Sequence, residues 1–246
     1  MSGEFTRERS KETMREFWDA RAAEDALYFV DNRIPYRGEN RDRFWDGGEE
    51  SLSYMQRELG LEIAPTDDVV EIGCGVGRIT RALAKRCRSV RAIDISEEML
   101  ARARELNPHL DSVEWILGDG TSLKPIPDAS ADGCYSDVVF QHIPDPEITL
   151  GYIDEICRVL RPGGWAAFQI SNDARVHRKR PLGERLRAGA RAVLGRGPRG
   201  QHHPAWLGSA VDLEALEARA HAGGADVERV ANPGTQYCRV LLRRRG

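Results

Sequence analysis

The 246-residue sequence contains no apolar run near the roughly 20 residues that a membrane-spanning helix needs. Its five cysteines (Cys74, Cys87, Cys134, Cys157 and Cys238) are odd in number and form no CxxC pair, which argues against both a disulfide framework and a zinc knuckle. Reduced, mostly buried thiols are expected. A basic excess is also missing: 36 Lys and Arg stand against 39 Asp and Glu, a net charge of −3, so a chain that coats nucleic acid through its overall charge is disfavoured. Charges occupy the N-terminal stretch MSGEFTRERSKETMREFW where a secretory signal carries an apolar segment, and a cytoplasmic protein is the expectation. There is no internal repeat and no low-complexity tract. What remains, 41% hydrophobic and 30% charged residues, suits a globular chain with a full core.

Aromatics are sparse, at 7%, but unevenly spread: nine of seventeen fall within the first 60 residues. That segment predicts helices broken by a loop over 32–48, which carries Pro35, Gly38 and the pair Gly47-Gly48. From Asp67 the pattern becomes strand, glycine turn, helix. Short apolar runs at 69–72, 90–95, 113–117, 133–140 and 165–170 read as five strands. Helices fall between several of them, one opening at Ser96 with Glu97 and Glu98 in its first turn and another at Asp145-Pro146. A capping pattern, Ser209 with Asp212, begins a later helix, and two more strands are expected at 226–230 and 235–242 around Asn232-Pro233-Gly234. Alternating strands and helices give an α/β fold with a mainly parallel sheet, whose ligand lies beyond the carboxyl ends of the strands.

The turn Glu71-Ile72-Gly73-Cys74-Gly75-Val76-Gly77-Arg78 joins a strand directly to a helix and brings bare backbone close to a ligand. It spells GxGxG. The last glycine of a dinucleotide fingerprint is replaced by Arg78, so a pyrophosphate ligand is unsupported. Asp94, 21 residues after Gly73 at the end of the second strand, can accept hydrogen bonds from both hydroxyls of a ribose. The ligand reads as a nucleoside.

At this point the chain resembles the class I S-adenosylmethionine-dependent methyltransferases. VVEIGCGVGRIT, VRAIDISEEML, GDGTSLKPIPDASADG, YSDVVFQHIPDPE and ICRVLRPGGW are similar to that family's ordered motifs over about residues 67–170, closest to the small-molecule type of ubiquinone and menaquinone biosynthesis. The resemblance implies a Rossmann-like, seven-stranded, mainly parallel sheet with an antiparallel C-terminal strand, helices on both faces and an N-terminal helical lid. It divides the chain into a cap over 1–60 and a methyltransferase domain over 61–246, with a basic insert at about 173–208. It places Glu71, Gly73, Cys74 and Gly75 around the methionine part of the cofactor and Asp94 on the ribose. Ile95 and Met99 would flank the adenine, Asp119 would accept from its amino group, and Gly120 would meet the ring edge. Ser136, Asp137 and Val138 would lie near the amino acid part and the methyl.

Methyl transfer is an in-line displacement, so holding the acceptor opposite the sulfur in a dry site is the first requirement. A base is needed only for a protonated acceptor, and His142, just past the fourth strand, is the candidate. Trp18, Tyr28, Tyr36 and Trp45, with His202 and His203, are candidates for a lid or for acceptor contacts. No metal is expected, since His202-His203 lacks a third ligand. The acceptor is expected to be a small molecule methylated on O, N or C, such as a secondary metabolite or glycan; residues 173–201 hold nine Lys or Arg and two acids, including a basic amphipathic helix over 182–194 that would either draw in an anionic or lipid-linked acceptor or be a solvated helix on a linker. Two other readings stay open: an RNA methyltransferase, supported by this stretch and Arg243-Arg244-Arg245, and a nucleoside-binding protein without turnover.

Overall fold

A computed structural model describes residues 2–38, 41–178, 200 and 202–246. Seven strands, β1 (Asp68–Ile72), β2 (Ser89–Asp94), β3 (Val113–Leu117), β4 (Ala131–Ser136), β5 (Leu160–Ile170), β6 (Ala225–Ala231) and β7 (Cys238–Arg244), form one sheet. Their order is β3-β2-β1-β4-β5-β7-β6. Strands β1 to β5 pair in parallel, and β7 runs antiparallel between β5 and β6, as the expected fold requires. The described helices are α1 (Ser2–Val30), α2 (Arg41–Leu59), α3 (Thr80–Ala84), α4 (Glu97–Leu106), α5 (Pro146–Val159), α6 (Pro204–Leu207) and α7 (Leu213–Ala222). None of them is long and apolar enough to cross a membrane.

Period-two alternation in strands covered on both faces builds two cores. Val70 and Ile72 face a cluster with Ile153, Ile156 and Phe168, while Val69 on the same strand faces Leu52, Leu83 and Val90. α5 begins where the sequence indicates: Asp145 accepts from Glu147 N at 3.0 Å, Pro146 follows the cap, and Ile148, Tyr152, Ile153 and Ile156 are buried. All five cysteines are buried and free.

Three local expectations are corrected. The loop over 32–48 ends early, because α2 starts at Arg41 and carries Gly47-Gly48 inside the helix. The glycines there serve contact rather than a turn: a Cβ on Gly48 would sit 2.2 Å from the carbonyl oxygen of Arg78. The cap of α7 is Asp212, whose carboxylate accepts from Ala215 N at 2.9 Å, while Ser209 instead donates to Ile143 O at 2.7 Å. β4 stops at Ser136, since Val138 takes φ 60° and Phe140–His142 forms a 3₁₀ turn. The expected helix over 182–194, with Arg185, Arg187 and Arg191, lies outside the described residues.

Candidate active site

The sheet order reverses between β1 and β4, the point where open α/β sheets hold their ligands. Here the glycine turn leaves β1, and its backbone is pinned by its neighbours. Gly73 N and Cys74 N both donate to Ile93 O, at 2.8 and 3.0 Å. Asp94, at the end of β2, accepts from Gly75 N (2.8 Å) and Ser96 N (2.9 Å), one on each carboxylate oxygen. Each oxygen keeps a second lone pair for a ligand hydroxyl. Gly73 and Gly75 have φ of 75° and 54°, which side chains rarely adopt. Their missing Cβ atoms make room for protein as well as ligand: Val139 Cγ2 would lie 2.4 Å from a Cβ at Gly73, and Val30 Cγ2 2.8 Å from one at Gly75.

A cavity of about 1020 Å³, its open mouth included, lies over this turn. Of the residues expected there, Glu71, Gly73, Cys74, Gly75, Asp94, Ile95, Met99, Gly120, Asp137, Val138 and His142 line it. Ser136 does not; it is buried with its hydroxyl donating to Ile72 O at 3.0 Å. Asp119 also stays outside, since its carboxylate accepts from Thr121 N and Ser122 N (2.8 Å each) and from Ser122 Oγ (2.9 Å), closing the turn that carries Gly118 and Gly120 to the wall.

Among the lid candidates Trp18 alone lines this cavity. Tyr28 packs on Phe29 and Tyr36, and Tyr36 donates to Glu24 at 2.7 Å. Trp45 lies beneath the guanidinium of Arg81, 3.3 Å from the ring centroid. His203 stacks on Phe17 at 4.5 Å and accepts from Ala205 N as the cap of α6, and His202 lines neither cavity. Tertiary packing occupies Tyr28, Tyr36, Trp45 and His203, while both ring nitrogens of His202 are buried without a hydrogen-bond partner. The cover comes instead from Met14, Phe29 and Val30, with Arg78 and Tyr152 as further wall residues that the motif reading missed. α1 is moored by Asp19, which accepts from Ser96 Oγ at 2.6 Å at the start of α4. Arg78, directly after the glycine run, donates to Gly47 O (2.7 Å) and Ser51 Oγ (3.0 Å), tying α2 to the turn.

The exit from β4 is held by a chain of amides. Val138 N donates to Gln169 Oε1 (3.0 Å), and Gln169 Nε2 donates to Gln141 Oε1 (3.1 Å). Gln141 Nε2 meets His142 Nε2 at 3.2 Å, and His142 Nδ1 meets Trp206 O at 2.8 Å. A carbonyl only accepts, so Nδ1 carries the proton and Nε2 accepts from Gln141. Burial lowers the imidazole to about 4, so it is neutral at physiological pH. Burial pushes two carboxyls of the same cavity the other way, Glu71 to about 7 and Asp137 upward against the pull of Arg78, Arg239 and Arg33. Glu71 accepts from Thr80 Oγ1 at 2.6 Å; Asp137 Oδ1, shielded from solvent, has no partner at all.

Asp137, Val138 and His142 also line a second cavity, of about 2390 Å³ with its mouth. The outer wall brings together distant segments: Tyr54 of α2, Trp206 of α6, Tyr237, and Arg239 of β7. Five arginines against two aspartates line it.

A cavity at the switch point of a 3-2-1-4-5-7-6 sheet, with a glycine turn and a carboxylate at the end of β2, is the arrangement of the class I methyltransferase fold. Residues 70–168 match the family model described as "Methyltransferase domain". That stretch, running from β1 to β5, is a methyltransferase domain of the class I S-adenosylmethionine-dependent family. Malonyl-[acyl-carrier protein] O-methyltransferase of Pectobacterium atrosepticum is 35% identical over 136 residues, 54% of this chain and 49% of that protein. Trans-aconitate 2-methyltransferase of Azoarcus sp. is 38% identical over 145 residues, 54% of each. The chain thus spans about half the length of these curated relatives. In fold it resembles Haemonchus contortus phosphoethanolamine N-methyltransferase 1, solved with phosphoethanolamine and S-adenosylhomocysteine, at a TM-score of 0.69 and 16% identity over 99% of this chain and 50% of that one.

Proposed function

We propose that the protein transfers a methyl group from S-adenosylmethionine to a small-molecule acceptor. The observation that carries this reading is the cavity walled by the glycine turn and by Asp94 at the end of β2, with a second cavity sharing its Asp137, Val138 and His142 wall. When bound, S-adenosylmethionine supplies a methyl carbon activated by a positively charged sulfur. The residues present fit that group. The spare lone pairs of Asp94 suit ribose hydroxyls, Ile95 and Met99 offer apolar contact for a base, and the backbone of Gly118 and Gly120 reaches its edge. Trp18 and Phe29 bring aromatic surface, which favours a cation, and α1 excludes water.

Alignment of the two ligands contributes most of the rate: such placement lowers a barrier by about 7–11 kcal/mol. His142 is a poor general base here, with its free imidazole held near 4 and Nε2 already accepting from Gln141, and its part is to hold the turn after β4. The excess of arginine in the second cavity supports an anionic acceptor, as do two relatives named for malonyl and aconitate substrates.

Calorimetry with S-adenosylmethionine and S-adenosylhomocysteine tests the cofactor half, and untargeted detection of labelled-methyl products from a cell lysate tests the transfer. A chain that binds neither nucleoside at millimolar concentration would sink the reading.

A further inference from the structure

Two opposite charges face the second cavity without an ion-pair partner. On the inner side, Asp137 Oδ1 is shielded from solvent and accepts no hydrogen bond, and among the described residues no cation lies within 4.0 Å of it. An oxygen in that state has given up its water and gained no hydrogen bond in return. The adjoining Val138, β-branched and at φ 60°, adds backbone strain at the same point. Two such costs on consecutive residues of a cavity wall aim a carboxylate at something the folded chain does not supply.

On the outer side stands Arg239. Its Nη1 donates to Tyr237 O at 3.0 Å and its guanidinium lies 4.5 Å from the ring centroid of Tyr54, yet no carboxylate among the described residues pairs with it. Of the other guanidiniums on this wall, Arg33 and Arg78 are engaged by Asp31 and Arg175 by Asp173, while Arg178, exposed at the rim, shares with Arg239 the lack of a carboxylate partner among the described residues. Asp137 lines both cavities, whereas Arg239 lines the outer one alone.

We propose that the acceptor bridges these two residues, with a hydroxyl or ammonium hydrogen-bonded to Asp137 Oδ1 and an anionic group, carboxylate or phosphate, on Arg239. The inference rests on the methyl-transfer reading, which puts the donor group of the acceptor at the inner end, beside the methyl. It assigns the substrate class as a small molecule carrying a proton-bearing nucleophile and a negative charge at opposite ends. Either charge alone is a common feature of protein surfaces; their joint placement on the wall of one cavity, with no ion pair between them, selects a ligand of matching polarity.

Calorimetry on the full chain saturated with S-adenosylhomocysteine tests this with three probes: inorganic phosphate, ethylamine and 3-aminopropylphosphonate. The aminophosphonate is expected to bind at least about tenfold tighter than either fragment. Arg239→Gln should weaken phosphate and aminophosphonate about tenfold and leave ethylamine alone, and Asp137→Asn, nearly isosteric, should weaken ethylamine and aminophosphonate but not phosphate. Arg239→Gln, which lines the outer cavity alone, should keep S-adenosylhomocysteine affinity within about twofold and melt as the parent does. Absent or variant-insensitive probe binding alongside normal S-adenosylhomocysteine binding overturns the bridge. So does a loss of S-adenosylhomocysteine affinity in Asp137→Asn, which would give that carboxylate to the cofactor. Failure of the parent chain to bind S-adenosylhomocysteine strikes the methyl-transfer reading instead.

Discussion

The β1–β2–β3 half of the sheet and the β4–β5–β7 half build their ends of the cavity in different ways. On the first, main chain does most of the work: Gly73, Cys74, Gly75 and Ser96 use their amides on Ile93 and Asp94, and every polar atom named there is satisfied. On the second, side chains from segments far apart converge, and the wall keeps a carboxylate oxygen and a guanidinium unmatched. A cofactor common to a whole family is met by a fixed backbone cradle. An acceptor particular to one protein is met by side chains that can change without disturbing the cradle.

That contrast breaks most readily at Gly75. Gly75→Val places a branched side chain at φ 54° and against Val30, so both the cradle and the cover of α1 should give way. The expected result is a loss of S-adenosylhomocysteine affinity of about 3 kcal/mol or more by calorimetry, with faster hydrogen exchange at the end of α1. Unchanged affinity would mean that the turn does not cradle the ligand.

On the acceptor side, His142→Ala should cost about 2–4 kcal/mol of stability in urea unfolding, because it strips a ring packed on Trp18 and Trp206 and strands Gln141 Nε2 and Trp206 O. S-adenosylhomocysteine affinity should stay near that of the parent. A variant as stable as the parent would remove the positioning role and return His142 to candidacy as a base.

Asp94→Ala should weaken S-adenosylhomocysteine by about 1.5–3 kcal/mol, through the ribose contact and through release of Gly75 N and Ser96 N. Equal affinity in parent and variant would take Asp94 out of the site.

The smallest effect depends on pH. Glu71 titrates near 7 when folded and near its ordinary value of 4.5 when unfolded, so between these values the folded state binds the extra proton. Stability contributed by protonated Glu71 is present below about 4.5 and is lost as pH rises through about 7. Glu71→Gln keeps an acceptor for Thr80 and has no charge to bury. Its melting temperature without cofactor should match the parent's at pH 4.5 and exceed it at pH 8. An equal difference at both pH values would disconnect Glu71 from the pH dependence.

Short-range grammar made one side of this molecule legible. Strand, glycine turn and a carboxylate 21 residues on are set by local backbone needs, and residues 67–170 carry them in order. Where a rule of that kind meets a tertiary contact, it yields: Gly47-Gly48 reads as a loop and lies in α2, because a side chain there would strike Arg78. Asp119 reads as a ligand for adenine, and its carboxylate also closes a local turn by accepting from the amides of Thr121 and Ser122.

By itself, then, the sequence determined the sheet, its α/β alternation, the glycine cradle and Asp94, since each follows from periodicity, turn chemistry or spacing within a few dozen residues. Only the tertiary structure decided which aromatics cover the cavity, why His142 is neutral and fully engaged, and that Asp137 and Arg239, 102 positions apart, face one chamber unpaired. The physical reason is range. Backbone hydrogen bonds and caps are settled between near neighbours, whereas burial, the pKa it shifts and the matching of charges across a cavity depend on which distant segments the sheet order brings together.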